Sequence, residues 1–448
     1  MTTVDAATRR TRKPALVLAV LCLITFMTLL DAYGVALAAP AMQRELPATL
    51  GQVLWVLNGY TFGLVVMPIA AGRLGDRFGP RRLLLAGLGL FTVASAGCAL
   101  APDGGWLIAV RIVQGVGAGL LAPQSLSLVT HVFPPHRRGW ALGVSGAVAG
   151  FAVAAGPSLG GILVSALGWR GVFLVNLPLG VAAGVLVRSL MPNPVSAAVR
   201  MDVLGQLLLA GSLAGVTYVL IDSGPGWLLA LAAVLAVVFV AVEFRRRDTN
   251  ALIPLRLLRN RDFSLVAAVV GTLPAAVSGM TFLLSTYLQN VASMSAYAAG
   301  LLLAVAPAVS IPFSHYAGAI VDRRGPRPVL VAGLAFMAAG VAASAVAVAF
   351  RSPVALLVPG LAIFGVGMGV VFSAPFVLAT RSLPAALIGT ASGVFGTAQR
   401  LGGMLGLAAA GAVLRADSIR DALLVPLAML ILAIALSGFT ARSRPSTA

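Results

Sequence analysis

Charge is scarce in this chain. Only 10% of its 448 residues are Asp, Glu, Lys or Arg, and 13 acids stand against 31 bases. There are 3 histidines and 2 cysteines, too few for a metal site built on a Cys/His set. Cys22 and Cys98 both lie within apolar runs, which argues against a structural disulfide. No Gly-rich phosphate loop ending in Gly-Lys-Ser/Thr is present, so nothing points to ATP-driven chemistry, and no cofactor, metal or enzyme activity is expected. Between the apolar runs no loop is long enough to fold as a separate soluble domain.

What the chain has in place of charge is apolar length. Hydrophobic residues make up 59% of it, more than a soluble core can hide, so the sequence reads as an all-α integral membrane protein. A helix needs ~20 apolar residues to cross a hydrocarbon layer of ~30 Å. Fourteen segments qualify, near 15–40, 51–71, 83–102, 106–127, 140–164, 169–188, 203–222, 226–243, 263–288, 298–320, 328–350, 353–377, 388–413 and 421–440. The first run, which follows Arg9, Arg10, Arg12 and Lys13, continues to Pro40. That is too long for the core of a signal peptide, and no small-residue cleavage site stands out, so it is expected to be the first span.

The net charge of +18 does not imply a nucleic-acid partner. With fourteen spans, one alternate set of loops holds only Arg44, Arg170, Arg351, Arg415 and Arg420, and Arg111 and Arg400 lie within spans. Every other base falls in the opposite set, which the positive-inside rule places in the cytoplasm together with both termini.

The most basic of these loops is Gly72-Arg-Leu-Gly-Asp76-Arg77-Phe-Gly79-Pro-Arg81-Arg82. Gly72, Gly75 and Gly79 suit a tight turn, Pro80 cannot continue a helix, and Asp76 is placed to pair locally or to accept from a helix N-terminus. A second copy, Gly318-Ala-Ile-Val-Asp322-Arg323-Arg-Gly325-Pro-Arg327, follows 246 positions later. The repeat predicts two pseudo-symmetric six-helix halves, 1–190 and 260–448, with two inserted linker helices in 191–259.

Ionisable groups within spans are costly and are functional candidates by default. Asp31 is expected roughly 24 Å along the first span at 1.5 Å per residue, and Arg111 at a similar depth in the fourth. Facing an apolar cavity, Asp31 would carry a proton or bind a cation; permanently paired to an arginine, it would hold helices together. Arg111 either tunes that acid or binds helices with Gln114 and backbone carbonyls. Arg400 has the same two readings, with an anionic substrate group as a third. His315 reads as a packing or cavity-lining residue or as a second proton site, and Glu243 as interfacial. Trp55, Asn58 and Tyr60, and Tyr287, Gln289 and Asn290, either line a pocket or anchor spans at the interface. In the fifth span Gly146, Gly150, Gly156 and Gly160 permit close helix contact, and Pro157 permits a bend.

Taken together these motifs resemble the major facilitator superfamily, and within it the fourteen-span drug/proton antiporters. Gly72–Arg82 resembles the superfamily's loop between spans 2 and 3, which governs closure of the halves. Arg111-Ile-Val-Gln114-Gly115-Val-Gly117 resembles the fourth-span motif linked to proton transfer. Gly156-Pro157-Ser-Leu-Gly160-Gly161 is similar to the fifth-span motif of exporters. Leu30-Asp31 through Pro40 resembles the first-span motif, and Trp169 through Gly180 the sixth-span entry. Tyr33 and Ala36 replace the usual Thr and Asn of the first-span motif, Gln399-Arg400 reverses the usual order, and the last outer loop is short, so the substrate pocket is expected to differ. The resemblance implies a monomeric, proton-coupled exporter of small amphiphilic molecules in the cytoplasmic membrane, with small-molecule substrate, protons and the lipid bilayer as its partners. An importer, or a lipid or metabolite transporter, on the same scaffold is the alternative.

Overall fold

The computed structural model of the protein describes residues 14–46, 48–192, 203–245, 260–371, 374–380, 388–416 and 418–439. The bases of the N-terminus, those at 200 and 246–259, Arg381, and Arg442 and Arg444 fall outside the described residues, as does the side chain of Asp322. Among the described residues every regular element is helical. They group into two compact units, one up to Ala210 and one from Gly211.

The first unit holds α1 (Pro14–Glu45), α2 (Leu50–Val66), α3 (Pro68–Phe78), α4 (Pro80–Ala99), α5 (Gly104–Val132), α6 (Pro135–Leu167), α7 (Gly171–Leu174) and α8 (Asn176–Leu190). The division between units falls inside α9 (Val203–Asp222). The second unit continues with α10 (Gly226–Arg245), α11 (Arg261–Thr286) and its π-helical extension Tyr287–Val291, α12 (Ala296–Leu303), α13 (Val305–Arg324) and α14 (Pro326–Ala349). It ends with α15 (Leu357–Val371), α16 (Ala374–Thr380), α17 (Ile388–Ala416), α18 (Ile419–Ala422) and α19 (Leu424–Gly438).

Twelve helices are long and apolar enough to cross a bilayer among the described residues, thirteen if α2 and α3 count as one span. The thirteenth expected span, near 388–413, is the 29-residue α17. Gln399, Arg400 and Arg415 dilute its apolar content, and it is not among the twelve. The expected second span is broken: Pro68 opens α3, and the two pieces bend by 53°.

Within each unit the same helices pair. In the first, α4 packs on α5 and α8, α1 on α6 and α8, and α2 on α5; in the second, α14 packs on α15 and α19, α11 on α17 and α19, and α13 on α15. The core of the first unit includes Leu21, Met27, Leu84, Phe91, Leu128 and Val187. In the second, Phe263 stacks on Phe395 with ring centroids 5.2 Å apart.

The repeated basic segment is not the turn spread over Gly72, Gly75 and Gly79 that the sequence suggests. Gly72 and Gly75 are helical, inside α3, and the direction changes at a single residue, Gly79, with φ 90° and ψ 141°. Gly325 repeats this with φ 81° and ψ 156°, and Pro80 and Pro326 each open the following helix. A left-handed glycine followed by a proline at the first helical position reverses the chain with no loop between. Asp76 and Arg77 are exposed on α3, where Arg77 lies over the Phe78 ring at 5.2 Å. Among the described residues Asp76 makes no ion pair, so of its two expected roles the local pairing is not seen.

The glycine-rich fifth span divides in two. Gly156 and Gly160 of α6 meet α1, where a Cβ on Gly156 would stand 2.8 Å from the Tyr33 Cβ and one on Gly160 2.7 Å from the Gly34 Cα. Gly161 is buried and Pro157 lies within the helix. At Gly143, Gly146 and Gly150 nothing lies within 4 Å of an added Cβ, so Gly146 and Gly150 do not serve the close packing expected of them.

Candidate functional site

The most polar point in the first unit is also among its driest. Asp31, Ser95, Gln114 and Asn176 have no exposed surface and Arg111 only 1%, and they arrive from α1, α4, α5 and α8. Arg111 Nη1 stands 2.5 Å from Asp31 Oδ2. Asp31 Oδ1 accepts from Gln114 Nε2 at 3.0 Å and from Asn176 Nδ2 at 2.9 Å. The same two amides donate to Ser95 Oγ, at 2.6 and 3.2 Å. Each carboxylate oxygen is thus met by donors, as a buried charge requires.

Arg111 is held by more than Asp31. Its Nε donates to the Val56 carbonyl at 3.1 Å and its Nη1 to Gln114 Oε1 at 2.6 Å. Its guanidinium also lies 4.5 Å from the Tyr60 ring centroid and 5.5 Å from that of Phe173. Such faces attract a cation in a desolvated site. Tyr60 is fixed in turn by donating its hydroxyl to the Thr28 carbonyl at 3.0 Å. Cys98, fully buried, points its thiol at Gln114 Oε1 at 3.8 Å.

The helices allow this because glycines let them close. A Cβ on Gly115 would stand 2.8 Å from the Tyr60 carbonyl carbon, and one on Gly117 2.7 Å from the Phe91 backbone nitrogen. Without side chains at these points, α5 seats against α2 and α4 and brings Arg111 and Gln114 beneath α1.

Of the residues expected at the site, the structure joins Asp31, Arg111, Gln114 and Tyr60. Asp31 is buried against its arginine, not open to an apolar cavity, because Arg111, Gln114 and Asn176 occupy the volume around the carboxylate. Asn58 is buried on α2 but its Nδ2 donates to the Leu54 carbonyl at 3.1 Å in its own helix. Trp55 and Tyr33 are half-buried.

Gln289, His315 and Arg400 belong to the second unit. Gln289 donates to Ser285 Oγ at 3.0 Å beside the π-helical turn. His315 is exposed, with its ring 5.2 Å from that of Tyr316, and Arg400 is half-buried on α17. Glu243, expected at the interface, is buried in α10 with 3% exposure. Ser95 and Asn176 are the members that sequence reasoning does not single out as ligands. Small polar residues are common in apolar helices, and only their place in the hydrogen-bond network around Asp31 distinguishes these two.

The description Major Facilitator Superfamily belongs to the family model that matches residues 21–407. An uncharacterized MFS-type transporter of Mycobacterium tuberculosis is 38% identical over 396 residues, covering 86% of this chain and 68% of its own length. The tetracenomycin C resistance and export protein of Streptomyces glaucescens is 34% identical over 406 residues, 88% of this chain and 74% of its own. The probable actinorhodin transporter of Streptomyces coelicolor is 35% identical over 404 residues, 86% and 70% of the two chains. Among solved structures, the POT family transporter PepTSo superposes with a TM-score of 0.71 at 16% identity, covering 95% of this chain and 97% of that one; at this identity the likeness speaks for the fold. Helices built to cross a bilayer, a polar cluster sealed among them and a family match over most of the sequence agree, and the chain belongs to the major facilitator superfamily, as a multi-pass membrane transporter.

Proposed function

We propose that the protein exports small amphiphilic molecules across the cytoplasmic membrane in exchange for protons, by alternating access. In this reading 1–190 and 260–448 are the two moving halves, α9 and α10 are inserted between them, both termini are cytoplasmic, and Asp31 carries the proton. Relatives named as resistance and export proteins support the direction of transport.

One observation carries the choice of Asp31: its partner, Arg111, retains two hydrogen-bond acceptors and two aromatic faces that do not depend on the carboxylate charge. Removing the charge of one member of a buried ion pair ordinarily strands the other, at about 3–5 kcal/mol. Here the stranded cation keeps other stabilisation, so Asp31 can be neutralised and restored within a working cycle.

The energetics limit the substrate. One proton moving inward at ~100 mV supplies ~2.3 kcal/mol, and a one-unit pH difference adds ~1.4 kcal/mol. Together these sustain roughly a 500-fold gradient of a neutral solute. Export of a dication against a single proton would move net positive charge outward, so neutral or at most monocationic substrates fit one carboxylate.

The test is accumulation of dyes and antibiotics in an efflux-deficient bacterial host expressing the chain or Asp31→Asn, with and without a protonophore. Lower accumulation abolished by both the protonophore and the mutation is the expected result. Export by the variant at the wild-type rate would make Asp31 a structural residue. Higher accumulation on expression would make the protein an importer.

A further inference from the structure

Asp31 must be comfortable in two protonation states if it carries a proton, and the two states need opposite neighbours. The ionised carboxylate accepts only; the protonated acid has one O–H to donate. As the site stands it suits the ionised form alone, since Arg111, Gln114 and Asn176 all point donors at Asp31. A proton arriving on Oδ1 would face two NH2 groups and no acceptor.

Each neighbour can be asked whether it can turn around. Arg111 has no acceptor. Gln114 has one, but its Oε1 already receives Arg111 Nη1 at 2.6 Å and faces the Cys98 thiol at 3.8 Å, so turning it would strip both. Asn176 differs: its side chain is fully buried, and its Oδ1 has no hydrogen-bond partner among the described residues. Rotating this amide by half a turn brings Oδ1 to where Nδ2 now stands, 2.9 Å from Asp31 Oδ1. Ser95 Oγ, 3.2 Å from the same position, keeps the bond from Gln114 Nε2 at 2.6 Å and can turn its own proton toward the incoming oxygen. An unpartnered buried amide oxygen is costly where it stands; the turn satisfies that oxygen twice, in exchange for the two bonds that Nδ2 now donates.

We infer that Asn176 is the positioning residue of the proton site, an amide that donates to Asp31 when the carboxylate is ionised and accepts from it when it is protonated. The inference rests on the reading of Asp31 given under the proposed function. The step is proton uptake alone: an O–H bond forms at Asp31 Oδ1, the amide turns, and no electrons change hands. The other titratable or charged groups facing the cluster are Arg111 on α5, Cys98 on α4 and Tyr60 on α2; α6, α7 and α8 direct none at Asp31 among the described residues.

The test needs no transported substrate. Infrared difference spectra of the purified full chain are recorded between about pH 4 and 9, a window wide enough to bracket ordinary carboxyl and imidazole titration. The carboxylate stretch and the protonated C=O stretch of Asp31 are identified by their loss in Asp31→Asn. In Asn176→Leu, which keeps the side-chain volume, both bands are expected to move, the C=O band to higher frequency as its O–H loses the acceptor. Asn176→Ser, whose hydroxyl both donates and accepts, is expected to bring both bands back toward the wild type; Asn176→Ala, expected to move both bands as leucine does, stands in if the leucine variant does not fold. Movement of the carboxylate band alone would mean that Asn176 only donates, and would overturn the inference. So would unchanged bands in the folded leucine or alanine variant. If the wild type shows no protonated Asp31 band across the range, the proton-carrying role of Asp31 fails and the inference falls with it. If that band is present and indifferent to residue 176, the inference alone fails.

Discussion

Arg81 and Arg327 stand 246 positions apart and make the same bond. Arg81 Nη1 donates to the Met191 carbonyl at 3.2 Å, at the end of α8, and Arg327 Nε donates to the Ser437 carbonyl at 3.2 Å, at the end of α19. Met191 and Ser437 are themselves 246 positions apart. Arg327 Nη2 also donates to the Gly438 carbonyl. In each unit a base just past the Gly-Pro reversal therefore ties the start of one helix to the last carbonyls of another, where the helix dipole favours a cation. The repeat visible in the sequence is a repeat of contacts.

Arg81→Ala and Arg327→Ala are each expected to lower stability by about 1–2 kcal/mol, the range for a hydrogen bond from a charged group combined with its helix-end charge. Thermal unfolding in detergent would show a lower midpoint for each. An unchanged midpoint for both would mean that the bonds contribute nothing to stability.

The two members of the buried ion pair are not equivalent. Arg111→Gln leaves the Asp31 charge with two amide donors and is expected to cost about 3–5 kcal/mol. Asp31→Asn leaves Arg111 with the Val56 carbonyl, Gln114 and two ring faces, and is expected to cost less. The double variant should be more stable than the sum of the singles implies, by about 1–3 kcal/mol of coupling. Thermal unfolding of the four proteins tests the order. Equal costs for the two single variants would contradict it.

The fifth span predicts a split among its glycines. Gly160→Leu drives a side chain into the backbone of Gly34 and is expected to cost about 3 kcal/mol or more, at the top of the range for overpacking. Gly146→Ala and Gly150→Ala meet nothing and, within a helix, are expected to stabilise by up to about 1 kcal/mol each. The same unfolding assay distinguishes them. Transport by the two alanine variants would show separately whether those open positions are needed for function.

At the chain reversals, Gly79→Ala and Gly325→Ala place a Cβ at φ 90° and 81° and are each expected to cost about 1–2 kcal/mol. Gly72→Ala, helical and with nothing within 4 Å of its added Cβ, should be neutral or slightly stabilising, by up to about 1 kcal/mol. Similar losses at Gly72 and Gly79 would return the segment to a turn spread over Gly72, Gly75 and Gly79, as the sequence suggests.

That this is a helical membrane protein built on a repeat can be read along the chain alone. Apolar length is an additive property of consecutive residues, and so is the spacing of Gly79, Pro80 and Arg81 from Gly325, Pro326 and Arg327. The sequence also singled out Asp31 and Arg111, because a charge in an apolar run is conspicuous without any neighbour being known. What lay beyond it depends on which helices touch. Whether Asp31 faces a cavity or an arginine is decided by where α5 sits, and Gly115 and Gly117 set that by letting it close on α2 and α4. Ser95 and Asn176 carry no signal along the chain, since a serine or an asparagine in an apolar run is equally at home bonded to its own helix, as Asn58 is. Gly156 and Gly146 look alike in sequence, yet one meets α1 and the other meets nothing. Those differences belong to the packing of helices against one another, and only the tertiary structure decided them.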